Sequence, residues 1–460
     1  MTLNFRQKGK ELLVKQPFKT VYYGLFILFV LIFTFAVLFT HGAAFKCIVF
    51  NDNSDTFMDH FNSVVYNEND PYELHVIYPP LACLCYKFCN RIIPRDDYYS
   101  IVTDPAIKAQ PRNIRIGQSF QFQFIIYMLV TALLFLIALD LMKKGSKRER
   151  GLFLLTVIAS APLFFMLDRG NNMLIPLAFS MFFITYYDSE NKILREIALI
   201  SLAIAVGFKI YPALFAVVLI SEKRWKEFLR TVIYCIATTI LPFFIFYKGV
   251  ASLKLMVQSI IGFGEKRSDI MNMESQLDFK RSFAFLLKTI FAVLHIPPSE
   301  ALFECLGSIY RSSITILAGI GALVSKKRWK QTMCCCAILY GWPGSCTNYL
   351  LSFFIISIIL FLDEEKDRNV LNWLYLIGLL FTQVPLVIRR DQATLSRFWP
   401  TKVSSCAVSF LCCLVVFQML VGFFKWNKKR REKHVPFITG ITDEIVGFIM
   451  GLIKCGGDEE

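Results

Sequence analysis

The sequence lacks the motifs that mark nucleotide-using or hydrolytic enzymes in water. It has no Walker A loop, no GxGxxG followed by an acidic residue, no HExxH, and no GxSxG in a strand-turn-helix setting. Cytosolic nucleotide chemistry therefore has no visible site. Charge is scarce as well: Asp, Glu, Lys and Arg make up 18% of the 460 residues, too few to cover a soluble protein of this size. There is no internal repeat, no low-complexity segment and no stretch that reads as a separate soluble domain. Histidine is limited to five residues. His60 and His295 have no evident partner, and no His completes a zinc pattern with the neighbouring Cys83, Cys85 and Cys89. Neither a metal site nor a cofactor is expected.

What is abundant is apolar. The chain is 55% hydrophobic with 45 Phe and a mean hydropathy of +0.51, the composition of an all-α polytopic membrane protein. Its net charge of +15 is gathered in short basic runs between apolar segments. That is the positive-inside pattern and not a nucleic-acid surface. Most cysteines, Cys334, Cys335, Cys336, Cys412 and Cys413 among them, lie inside apolar runs and read as small hydrophobes.

Arg6, Lys8, Lys10, Lys15 and Lys19 put the N-terminus on the cytosolic side, and residues 21–41 form a retained first span. Residues 78–93 suit a re-entrant or interfacial helix, with a full crossing as the competing reading. Spans follow at 118–142, 151–167 and 173–187. Residues 194–221 need two passes or a helix broken at Lys209 and Pro212, and a span at 230–247 comes next. Residues 248–302 are amphipathic and external, and further spans cover 303–324, 331–344, 347–362, 370–388 and 402–425. The runs KKGSKRER, SEKRWK, SKKRWK, DEEKDR and NKKRREK mark the cytosolic ends. The sum is a multi-pass protein of the cell membrane with about twelve crossings and both termini inside. An integral membrane domain spans 1–433. A cytosolic amphipathic tail, 434–460, sets Ile438, Ile441, Ile445, Phe448 and Leu452 on one helical face.

Against this background the polar stretch 51–81 stands out. Asp52, Asp55 and Asp59 are spaced i, i+3, i+7, so on a helix they share one face. They emerge on the external side just past the first span. Arg169, Lys209, Arg389 and Arg390 also fall on external ends or loops, where basic residues are scarce. Either the topology differs locally there, or an anionic ligand such as a lipid phosphate or pyrophosphate binds through charge-assisted hydrogen bonds, the preferred reading for Arg169 and Lys209, both wedged between spans. Lys254, Lys266, Arg267, Lys280 and Arg281 read instead as solvated surface.

These residues carry a resemblance. SDTFMDHFNSV, DPY and YPPL, in that order, resemble the first external loop of the family-87 glycosyltransferases, polytopic membrane enzymes of the GT-C class. DRGNN (168–172) is similar to that family's RGQ/RGN turn, with Asn171 where Gln is frequent. GFKIYPALF followed by SEKRWK looks like its K-x-x-P element, and NYLLSFF looks like its late W-x-x-YL segment. The resemblance implies a GT-C-like bundle with external re-entrant or amphipathic helices. It implies transfer of a sugar, mannose being mildly preferred, from a polyprenyl-phosphate-linked donor to a glycan or glycolipid acceptor on the external face, with inversion. Asp55 matches the family's catalytic base, with Asp52 and Asp59 in reserve. Lys209 and Arg169, with Arg389 and Arg390, would hold the donor phosphate. Tyr78, Tyr211, Asn171 and Asn172 would shape the sugar and acceptor pocket. Two other classes fit a polytopic chain with intramembrane charge: a secondary transporter or lipid-linked sugar flippase, and a non-enzymatic scaffold or receptor.

Overall fold

A computed structural model describes residues 16–50, 55–269, 278–297, 299–342, 348–386 and 398–432, all of them in helices, turns or irregular connections and none in strands. In chain order the main helices are α1 (Pro17–Phe39), α2 (Met58–Tyr66), α3 (Pro80–Ile92), α4 (Gln118–Met142), α5 (Lys147–Ile158), α6 (Ala161–Arg169), α7 (Leu174–Tyr186) and α8 (Lys192–Phe208). They continue with α9 (Trp225–Ile240), α10 (Ser252–Asp269), α11 (Phe279–Val293), α12 (Glu300–Val324), α13 (Arg328–Gly341), α14 (Phe354–Glu364), α15 (Val370–Phe381) and α16 (Phe398–Glu432). Asp52, Arg389, Arg390 and the 434–460 tail lie outside the described residues.

Among the described residues, five stretches are long and apolar enough to cross a membrane: Pro17–Phe39, Gln118–Met142, Trp225–Ile245, Glu300–Val324 and Val403–Trp426. The span expected at 151–167 is not one rod. It is α5 and α6, bent by 58° at a short break. The cause is local: Pro162 stands in the first turn of α6, where its missing N–H is harmless, while its ring forbids a continuous helix through Ser160. Counting that pair as one crossing gives six.

The segments expected to cross at 173–187, 331–344, 347–362 and 370–388 fold as shorter helices. α13 and α14 are enclosed almost entirely by protein: Trp329, Met333, Cys334, Cys335 and Cys336 of α13, and Phe354, Ile356, Ile358 and Phe361 of α14, are at most 1% exposed. A helix that is apolar all round belongs in such a core. α3, at 13 residues, rises only about 20 Å, too little to span, in keeping with a re-entrant or interfacial helix. It packs Ala82, Tyr86 and Cys89 against Phe61 of α2 and Tyr127 of α4. The break expected within 194–221 is present: α8 stops at Phe208, Lys209 is extended, and a 3-10 turn resumes at Tyr211–Ala216.

The basic runs that contain Lys143, Lys327 and Arg328 gather at one end of the bundle. Lys143, at the C-terminus of α4, pairs with Asp363 at the end of α14 and with Glu149 of α5 at 2.9 Å. Lys19 joins the same Glu149 at 2.7 Å. Nearby, Lys327 pairs with Glu365 at 2.7 Å, and its neighbour Arg328 reaches Asp188 and Glu222. At the opposite end of α4, about 37 Å away along 25 residues of helix, Arg115 donates from Nη1 to the Thr56 carbonyl at 3.0 Å. The polar loop after α1 thus lies at the far end from the basic runs.

Lys143 and Asp363 have side chains only 1% and 6% exposed, so removing one charge leaves the other buried. Asp363→Asn is expected to lower stability by about 3 kcal/mol. Asp140→Asn, which breaks the exposed Arg150–Asp140 pair, should stay within about 1 kcal/mol. Unfolding in detergent micelles measures both; equal effects would show that the buried pair does not hold this end together.

Candidate functional site

The site is built on the turn that ends α6. Gly170 adopts the left-handed conformation at φ 60° and closes the helix, its N–H donating to the Leu167 carbonyl. That φ favours glycine, and so does the space: a Cβ here would sit 3.1 Å from the Phe57 Cα and 3.2 Å from its carbonyl oxygen. The loop carrying Asp55 therefore lies directly on the turn. Asp168 fastens it. Its backbone carbonyl accepts from the Phe57 N–H at 2.7 Å, and its Oδ1 accepts from the Phe50 N–H at 3.0 Å and from the Thr56 hydroxyl at 3.2 Å. Sequence reasoning singled out Arg169 in DRGNN and passed over Asp168. The available signal was an acid at a helix end facing an external turn.

The condition for a shared helical face, a continuous helix, is not met between Asp55 and Asp59. Phe57 is left-handed at φ 62° and α2 begins only at Met58, so Asp55 precedes the helix and Asp59 sits in its first turn. Arg169 brings these two carboxylates together instead. Its Nη2 donates to Asp59 Oδ1 at 2.7 Å and its Nη1 pairs with Asp55. The planar fork suits this double contact. Asn171 completes the grip, donating from Nδ2 to Asp59 Oδ2 at 2.8 Å. Asp55 is the more open of the pair, its side chain 43% exposed against 19% for Asp59.

Lys209 caps α8, and its ammonium lies 4.0 Å from the centre of the Tyr78 ring, a cation–π contact. Tyr78 in turn packs on Tyr86. The Tyr211 hydroxyl donates to the Met173 sulfur at 3.2 Å, and its ring meets Phe353 edge-on. Asn172 is 1% exposed with neither side-chain polar atom bonded to protein, and the Asn171 carbonyl oxygen is likewise unmatched. An unmatched buried amide is costly, about 1–3 kcal/mol. Tyr349, from the NYLLSFF segment, stacks on Phe165 of α6. Next to the Lys209 turn an apolar cavity of about 440 Å³ opens between α8 and α9, lined by Leu202, Ala213, Ala216, Phe228, Cys235 and Ile240. Among the described residues no three His, Cys, Asp or Glu side chains converge as metal ligands would.

The structure thus joins Asp55, Asp59, Arg169 and Asn171 directly, while Lys209 and Tyr78 meet each other in the cation–π contact. Residues 116–333 match the sequence model of glycosyltransferase family 87. Over that stretch the chain resembles the family. The matched family is one of glycosyltransferases. The matched stretch contains Arg169, Asn171, Asn172, Lys209 and Tyr211, while Asp55 and Asp59 precede it. No curated protein and no solved structure matches the chain.

His60, beside Asp59, gains the partner the sequence did not reveal. It is fully buried against Tyr127 and Phe124, with Nε2 2.8 Å from Gln123 Oε1. Burial pushes its pKa down from 6.5 to about 4, with the Gln123 bond opposing. The unfolded chain then binds the extra proton first, so this contribution to stability is complete above pH 6.5 and is lost as pH falls toward 4. The melting temperature of the wild type should drop across that window more than that of His60→Gln; parallel curves would remove His60 as the cause. Gly170→Ala, forced into the left-handed region against Phe57, should cost at least 1–2 kcal/mol, by roughly the penalty for a Cβ there, and a melting temperature equal to wild type would refute the tight docking of the loop.

Proposed function

We propose that the protein transfers a sugar from a polyprenyl-phosphate-linked donor to an acceptor hydroxyl on the non-cytoplasmic face, with inversion at C1. The observation that carries this reading is the meeting of Asp55 and Asp59 on Arg169. Asp55 is the base: the more exposed carboxylate takes the acceptor proton as the hydroxyl oxygen attacks C1. The C1–O bond to phosphate breaks, and its electrons leave with the polyprenyl phosphate, so no general acid is required.

Asp59 has a different task. Gripped by Arg169 and Asn171, it holds the arginine fork beside Asp55. Lys209 compensates the charge that grows on the departing phosphate. Asn172 and the Asn171 carbonyl, buried without protein partners, offer hydrogen bonds to sugar hydroxyls. The apolar cavity between α8 and α9 suits the first isoprene units of the carrier. The gathering of basic runs at the opposite end of the bundle supports the external placement of this site. Mannose is the sugar we favour, and a glycan or glycolipid the acceptor.

Asp55→Asn should reduce transfer by a factor of about 100 or more, by loss of a general base, while donor binding persists. Turnover within threefold of wild type would reject Asp55 as the base. Lys209→Met should weaken binding of the lipid-linked donor about tenfold or more, as loss of a charged contact does. Unchanged affinity would remove Lys209 from the phosphate site. Both are read with purified protein and a panel of polyprenyl-phosphate sugars.

A further inference from the structure

Between Glu304 and Lys326 the only charged residue of α12 and its C-terminal boundary is Arg311. It lies seven residues beyond Glu304, about 10 Å along the helix, inside a stretch that passes as a membrane span. Its place on the helix is unexpected. The buried stripe of α12 runs through Phe303, Gly307, Ile314, Ala318 and Gly321, and the spacing of four and three residues puts Arg311 in the gap between Gly307 and Ile314. It shares that level with Tyr310, which stacks on Phe283 of α11. Arg311 therefore belongs to the packed side of the helix, and its Nε is buried without a hydrogen-bond partner.

No carboxylate pairs with it among the described residues. Glu304, two turns earlier, is taken by Lys280, and Asp278 caps α11 by accepting from the Arg281 N–H at 2.8 Å. What the guanidinium has is an aromatic face: it lies 5.5 Å from the centre of the Trp342 ring, itself 51% exposed, at the end of α13. An arginine inside a span is costly and faces protein or a pathway. A cation–π contact alone leaves most of its five donors unmatched.

We infer that Arg311 and Trp342 form a binding site for the phosphate group of a membrane-embedded lipid, distinct from the Lys209 site. The guanidinium forks onto phosphate oxygens, and Trp342 covers the adjoining apolar part of the lipid. Two sources share this chemistry: a polyprenyl phosphate carrier and a bulk anionic phospholipid. The inference needs no sugar transfer, so it stands or falls apart from the role of Asp55.

The test is native mass spectrometry of the delipidated full chain with undecaprenyl phosphate, phosphatidylglycerol and, as uncharged control, undecaprenol. Arg311→Gln should weaken retention of phosphate lipid about tenfold or more, the loss of a charge-assisted bond, with undecaprenol unaffected and Arg311→Lys restoring much of the loss. A loss confined to undecaprenyl phosphate identifies the carrier, and a loss for both identifies a general lipid-phosphate site. Should Arg311→Gln not fold, Ser308→Glu, one turn away, supplies the missing carboxylate and should suppress binding with Arg311 intact. Equal retention of both phosphate lipids by the variants and wild type would overturn the inference, whether or not the melting temperature falls, because Arg311 would then only pin α12 to α13.

Discussion

Two carboxylates held close together repel each other, and the fold meets that constraint with one arginine. Arg169 is useful because the chain cannot continue as helix beyond it: Gly170 turns into the left-handed region and presents the guanidinium sideways to the loop after α1. The same turn carries Asp168, whose carbonyl and carboxylate hold the loop by its backbone, and Asn171, which takes the second oxygen of Asp59. Four consecutive residues thus latch, neutralise, bend and orient. Loosening any of them moves Asp55, the most exposed acid of the group, relative to everything else in the site.

The remainder of the molecule keeps this arrangement at a distance from the other concentration of charge. Lys19, Lys143, Glu149 and Asp363 close the opposite end of the bundle, and the interior between is apolar, built from helices too short to cross but enclosed on all sides. Low polarity strengthens any charge interaction that does occur there. Lys209 and Arg311 are the cases in point. Each stands where a helix would ordinarily bury a hydrophobe, and each rests on an aromatic ring, Tyr78 or Trp342.

Much of this was legible before any coordinates. The span 118–142 coincides with α4, and the interruption around Lys209 and Pro212 followed from a proline in an apolar run. The runs KKGSKRER, SKKRWK and DEEKDR marked one side of the membrane in the sequence, and they meet in space through Lys143, Lys327 and their acidic partners. What failed did so for identifiable reasons. A helical face shared by Asp55 and Asp59 needs continuous helix, and the positive φ of Phe57 interrupts it. His60 looked solitary because Gln123 is 63 positions away. Asp168 was invisible as a latch because it binds backbone groups, which carry no sequence signature.

The sequence by itself determined the solvent class it points to: composition, apolar run length and the rhythm of basic clusters indicate a helical membrane protein, and its motifs resemble one glycosyltransferase family. Those properties are local or summed, so they survive without knowledge of contacts. Which acid meets which base was decided by the tertiary structure alone. The pairing of Asp55 and Asp59 with Arg169 spans more than a hundred residues, and its geometry depends on one glycine turn bringing two chain segments within van der Waals contact.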